Sequence, residues 1–317
     1  MKLRSSKETS FSILLPTTRK RKAKENKLKE VPSKKTRFCD SYYRQNWSFR
    51  GSFIHYITQN PSSAKVYQKM IQSCKHFFIK NPIIIVPELY FLRKKGWCTQ
   101  ENRPSRHRLN DRSIYLNELS SKIWITDLLH VWGSTPNWSA LTSFMPQIYQ
   151  CDATDISIEK QMFSFNDLMV IASKCETLYL SNVVIMNNDE VVPETEEYCF
   201  ENAVSLETLF KALPNVKTFE YDLPNNSLNI VTTKTVEELL KIPHFLSLDK
   251  FVMKDIPETF DIKSFYDHIK KNKKTKIDLG FPRQISDEYK TQLQTIVDEI
   301  LETKNRDYKV PYIFLQG

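Results

Sequence analysis

Cysteine, histidine and clustered carboxylates are the side chains that could do chemistry in this chain, and their spacing argues against it. The six cysteines, Cys39, Cys74, Cys98, Cys151, Cys175 and Cys199, stand 35, 24, 53, 24 and 24 residues apart. No Cys-x-x-Cys pair occurs, and no cysteine lies at zinc-ligand spacing from a histidine. Without a secretion signal the thiols are expected to be reduced, and Cys74 and Cys175, among apolar neighbours, read as packing residues. His55, His76, His107, His130, His244 and His268 are scattered singly, with no Gly-x-Ser-x-Gly elbow to supply a nucleophile. The acidic run Asp189, Glu190, Glu194, Glu196 and Glu197 lacks calcium-loop spacing and a turn glycine, so it reads as a solvated loop. Only five glycines occur, and no two are close enough to cradle a phosphate. The expectation is a protein that is not an enzyme and holds no cofactor and no metal.

Charge is concentrated at one end. Residues 1–37 hold thirteen Lys and Arg against three acids, while the other 280 residues hold 33 bases and 34 acids. The excess of +9 over the whole chain therefore belongs to the tail. That tail has too little apolar area to offset its ordering entropy, and residues 1–44 read as a disordered basic segment. Arg19, Lys20, Arg21 and Lys22, then eleven residues, then Lys34, Lys35 and Arg37 form the two-cluster pattern of a nuclear import signal. The alternative is a solvated arm with weak affinity for nucleic acid or anionic membrane. The expected place is the nucleus, the cytoplasm or both, with an import receptor as partner. Phe11–Leu15 is too short for a signal-peptide core, and no stretch approaches the ~18–20 apolar residues of a membrane helix.

The elements that would position any site come next. Residues 45–82 read as a helical module. Phe53, Ile54 and Ile57 recur at helical spacing, Asn60-Pro61 breaks the pattern, and a serine at 62 or 63 can cap the next helix. From Ala64, residues Val66, Tyr67, Met70, Ile71, Cys74, Phe77 and Phe78 predict one helix ending at Asn81-Pro82. Ile83–Val86 then read as a buried strand, and residues 99–112 as a loop. From about residue 120 a pattern of apolar, two others, apolar, one other, apolar recurs. Cys175-x-x-Leu178-x-Leu180, Val216-x-x-Phe219-x-Tyr221 and Leu248-x-x-Phe251-x-Met253 are its clearest copies, and partial copies surround Ile123, Ile148, Ile277 and Ile313. Strand starts are 25 to 41 residues apart with helical stretches between them, and the longest interval holds the acidic run. Repeated strand–helix units predict an α/β fold in which residues 83–317 form an irregular leucine-rich-repeat-like solenoid. An ordinary α/β domain with parallel strands gives the same local signals. Trp124 reads as core, while Trp132 and Trp138 flank a turn-rich stretch and read as surface candidates.

Residues 53–78 resemble the F-box, a small helical module that docks a Skp-type adaptor in cullin-based ubiquitin ligases. The similarity rests on Val66-Tyr67-Gln68-Lys69-Met70-Ile71-Gln72-Ser73-Cys74-Lys75-His76-Phe77, with Asn60-Pro61-Ser62-Ser63 before it and Asn81-Pro82-Ile83 after it. Divergent F-box-like proteins abundant in nematodes are similar in this arrangement and carry an irregular repeat domain behind it. The resemblance implies a substrate receptor of an SCF-type ligase, with a Skp-type adaptor and a target protein as partners. It places adaptor contacts on Phe53, Ile54, Ile57, Val66, Met70 and Ile71, through a helix-in-groove mode that needs no catalytic group. The same six residues could equally form the core of a helical cap on a repeat scaffold that binds no adaptor. A nuclear protein held weakly on nucleic acid by its basic tail is a third reading.

Overall fold

Residues 34–100, 111–132, 138–187, 202–225, 227–303 and 307–316 are described by the computed structural model of the chain. The chain divides into two compact units, Met1–Arg44 and Gln45–Gly317. In the first, Lys34–Asp40 form helix α1. The last proline of this segment is Pro32, and no proline or glycine stands between Lys34 and Arg44 to break a helix. The first import cluster, Arg19–Lys22, and the acidic run lie outside the described residues.

The second unit opens with three helices, α2 (Gly51–Gln59), α3 (Ala64–Ser73) and α4 (Lys75–Lys80). Ser63 caps α3 by accepting from the Val66 amide at 3.2 Å. The single helix expected up to Asn81 is two, because Cys74 is extended at φ −154° and ψ 132°. Helical periodicity passes through this break unchanged, which is why spacing alone could not show it. The break turns Phe77 inward, against the Trp47 ring at 5.6 Å.

The chain then enters a mixed sheet. β1 (Ile83–Leu92) folds back through β2 (Gly96–Gln100) and β3 (Asp111–Ser113), which pair antiparallel along one edge. β1 runs past the expected Val86 through an irregularity between Val86 and Glu88, at Pro87. β4 (Lys122–Trp132) lies parallel to β1 on its other side. After helix α5 (Ala140–Phe144), β5 (Ile148–Cys151) and β6 (Asp155–Glu159) pair with successive halves of β4. The chain continues with β7 (Met162–Ser164), α6 (Phe165–Ala172), β8 (Thr177–Ser181), β9 (Val184–Met186) and α7 (Leu206–Ala212). Next come β10 (Thr218–Asp222), α8 (Thr235–Leu239), β11 (Lys250–Lys254), α9 (Ile262–Lys271), β12 (Lys276–Phe281), α10 (Asp287–Glu302) and β13 (Tyr312–Leu315).

The sheet has 11 strands, and β1, β4, β6, β8, β10, β11, β12 and β13 cross it side by side in chain order, all parallel. Ten α-helices occur among the described residues. The fold is therefore mixed α/β around one large mixed sheet. The inner residues of the strands, such as Leu129, Ile156, Leu178, Phe219, Phe251 and Ile277, join Leu168, Leu209, Val236, Phe265 and Leu293 of the helices in one core. Each strand sends one face into that core, so its period-2 pattern is visible in sequence.

The strand ends repeat as well. Lys160, Asn182 and Asp255, each just past its strand, take positive φ of 49°, 51° and 56°. The amides of Lys160, Asn182, Leu223 and Ile256 donate to the next strand's Ser181, Asp222, Lys254 and Gly280 carbonyls, so each corner is tied to its neighbour.

Candidate interaction surfaces

A second, smaller core lies on the opposite face of the sheet. Tyr67, Ile83 and Trp124 are its buried members, with Ala64, Ile71, Ile85 and Tyr149 packed around them. Polar contacts fix the helices there. The Tyr67 hydroxyl donates to the Asn81 carbonyl and accepts from the Ile83 amide at 3.1 Å. Tyr149 donates to the Gln59 carbonyl at 3.1 Å, and the Trp124 indole donates to Asp152 at 2.8 Å. As expected Trp124 is core, whereas Trp132 and Trp138 are half-buried.

This anchoring divides the six predicted adaptor contacts. Ile71 turns toward the sheet, Ile54 is buried, and Ile57 and Met70 are half-buried. Phe53 and Val66 face outward at 49% and 40% exposure. Two exposed aromatics were not expected: Phe49 at 61% and Tyr56 at 65%. Phe49 and Phe53 rings lie 5.5 Å apart. Phe49, Phe53 and Tyr56 follow i, i+4, i+7 spacing, a stripe legible in sequence once Ile54 is recognised as the inward residue. Residues 45–82 also contain five cations, Arg50, Lys65, Lys69, Lys75 and Lys80, and no acid.

A trough of about 870 Å³ runs along the edge where the strands begin. Its charges are matched in pairs: Asp152 with Lys174 at 2.7 Å, Glu176 with Lys217 at 2.7 Å, and Asp249 with Lys274 at 2.9 Å. His244 also lines it, and burial lowers the tendency of that imidazole to charge. These pairs tie neighbouring strand ends together, and each carboxylate of the three holds a lysine. Burial pushes Cys151 up to about 11 and Cys175 up to about 12, so both stay protonated near neutrality.

The third surface is the rest of the sheet face that carries the small core. Positions 88, 90 and 92 of β1, 128, 130 and 132 of β4, 155, 157 and 159 of β6 and 177, 179 and 181 of β8 point away from the main core and are not fully buried. The face continues onto β10–β12, where lysines answer acids: Lys250 with Glu220 at 2.6 Å, Lys254 with Asp222 at 2.9 Å, and Lys276 with Asp278 at 3.5 Å. No known family, curated protein or solved structure matches the chain.

Proposed function

We propose that the chain is a non-catalytic protein-interaction subunit, a substrate receptor of a cullin-RING (SCF-type) ubiquitin ligase. In this reading an F-box-like module docks a Skp-type adaptor and the sheet domain holds a target protein. The observation that carries it is the exposed Phe49, Phe53, Tyr56 and Val66 on a helical unit whose inner side is already spent on Tyr67, Ile83 and Trp124. Such anchors suit insertion into an apolar groove. The in-order parallel strands and their repeated corners favour an irregular leucine-rich-repeat-like solenoid over an ordinary α/β domain.

The test is a pull-down with purified Skp-type adaptor, using the whole chain and a Phe53→Asp/Tyr56→Asp variant. Both positions are exposed, so the variant keeps its fold by circular dichroism. Adaptor binding that the folded variant loses supports the reading; a wild type that binds none refutes it and leaves a repeat scaffold. The acid-free stretch 45–82 and the basic tail favour, as second reading, a nuclear protein held on nucleic acid. A steep loss of oligonucleotide binding with added salt would mark that case. Import by a receptor through Lys34, Lys35, Arg37 and the upstream cluster belongs to both readings. Among the described residues no helix is long and apolar enough to cross a membrane.

A further inference from the structure

The outer face of the sheet is not uniform. On β10–β12 the acids are neutralised by lysines, two across to the adjacent strand and one, Lys276 with Asp278, within β12. On β1, β4, β6 and β8 the outward positions 88, 90, 92, 128, 130, 132, 155, 157, 159, 177, 179 and 181 hold Glu88, Asp155 and Glu159 and no lysine or arginine. Among them stand Tyr90, His130, Trp132 and Tyr179. Tyr90 and His130 ring centroids are 5.6 Å apart, and His130 and Trp132 are 5.7 Å apart. Trp132 is the register partner of Glu159 on the adjacent strand.

Glu159 is the centre of this half. It is half-buried, and its carboxylate makes no hydrogen bond or ion pair with any described residue. Lys160, beside it in the corner, is exposed and attracts the Glu159 carboxylate without a hydrogen-bonded ion pair among the described residues. Burial holds the Glu159 carboxyl above its ordinary range; Lys160 draws it back in part, and Asp222 adds to the rise. Asp155 accepts from Thr154 at 3.1 Å, and Glu88 accepts from the Tyr90 hydroxyl. An indole beside an unpaired carboxylate suits a side chain with an apolar stem and a cationic head.

We propose that the face formed by β1, β4, β6 and β8 binds an extended segment of a partner protein through its lysine or arginine side chains, with Glu159 and Asp155 receiving the charges and Trp132 the stem. Charge complementarity selects the occupant: three carboxylates and no lysine or arginine at the described outward strand positions of this half, with Lys160 alone at its corner, against a self-neutralised half on β10–β12. Spacing sharpens it. Asp155 and Glu159 lie about 13 Å apart along β6, and an extended peptide repeats a same-side residue every ~6.6 Å. Cations four positions apart therefore meet both carboxylates. This deepens the receptor reading by naming the chemistry of the target, and it stands or falls separately from adaptor docking.

The test is fluorescence anisotropy with the whole chain at physiological salt. The probe is a short labelled peptide with two arginines four positions apart, a valine midway and Ser or Thr elsewhere. The expected result is saturable binding, weakened about tenfold or more by Glu159→Gln, which removes a charge-assisted hydrogen bond. Glu220→Gln, on the neutralised half, leaves binding unchanged. Both variants keep the wild-type melting profile, because neither position is in the core. Absence of saturable binding overturns the proposal. So does equal weakening by both variants, which would mean unspecific charge attraction, or preference for a single-stranded oligonucleotide over the peptide. Adaptor pull-down on the same Glu159→Gln protein is unchanged in every case, so the two readings fail independently.

Discussion

Replacing Tyr67 with phenylalanine keeps the ring in the small core and removes one oxygen. That oxygen serves two backbone groups at once, the Asn81 carbonyl and the Ile83 amide. Tyr67 is fully buried and Ile83 is 1% exposed, so water does not replace the lost partner. An unsatisfied buried polar group costs about 1–3 kcal/mol, and the Asn81 carbonyl is less deeply placed than the Ile83 amide. The expected loss for Tyr67→Phe is therefore about 2–4 kcal/mol. Tyr149→Phe is the control. Its hydroxyl donates to the half-buried Gln59 carbonyl and also meets the Asn81 side-chain amide, neither of them a buried backbone amide, and the expected loss is about 0.5–1.5 kcal/mol. Urea denaturation reads both, with an unchanged m-value and a lower midpoint. Hydrogen exchange adds a local check, since the Ile83 amide should lose protection in Tyr67→Phe alone. A cost below about 0.5 kcal/mol, or a larger effect from Tyr149→Phe, would refute the claim that this hydroxyl fastens the helical unit to the sheet.

Three further outcomes follow from the geometry. Asn182 holds φ at 51°, so Asn182→Val should cost about 1–2 kcal/mol in the same denaturation assay while Asn182→Gly costs nothing or stabilises. Cys39 is exposed whereas Cys98, Cys151 and Cys175 are buried; mass spectrometry after brief alkylation should find Cys39 modified and those three modified only after unfolding. Burial raises the Tyr67, Tyr221 and Tyr289 hydroxyls above the ordinary phenol value, so the folded chain keeps protons that the unfolded chain releases. Stability is then full below pH ~10 and falls as pH rises through the folded values, which a series of melts above and below pH 10 would read.

The sheet was largely legible because its strands advertise themselves in a particular way. Leu178/Leu180, Phe219/Tyr221 and Phe251/Met253 each bury one side of a short strand, and a helical stretch with its own apolar face separates them. β6 escaped because it follows β5 after only Asp152–Thr154, with no helix to announce it, and simply continues across the second half of β4. α6 and β9 escaped for a similar reason: Phe165–Ala172 and Val184–Met186 are nearly continuous in apolar residues, so no period stands out. The docking stripe was half legible. Both sides of α2 carry apolar residues, and only the buried Thr58 and Ile54 reveal that Phe53 and Tyr56 face away from the protein. Glu159 had no sequence signal, because its isolation depends on which lysines stand on neighbouring strands.

The order of the strands bears on how the chain is made. The β2–β3 hairpin closes the sheet at one edge, and every later strand of the parallel series lies beside the one translated before it. A nascent chain thus always presents a single waiting edge, and the next strand to leave the ribosome is the one that fits it. Pairings between strands distant in sequence, the slow step of many β-rich folds, are not required in this series, where paired residues stand no more than 41 positions apart, as Thr177 and Thr218 do. The sheet can be laid down like courses of brick, with the helical unit already seated on the first course when the second arrives.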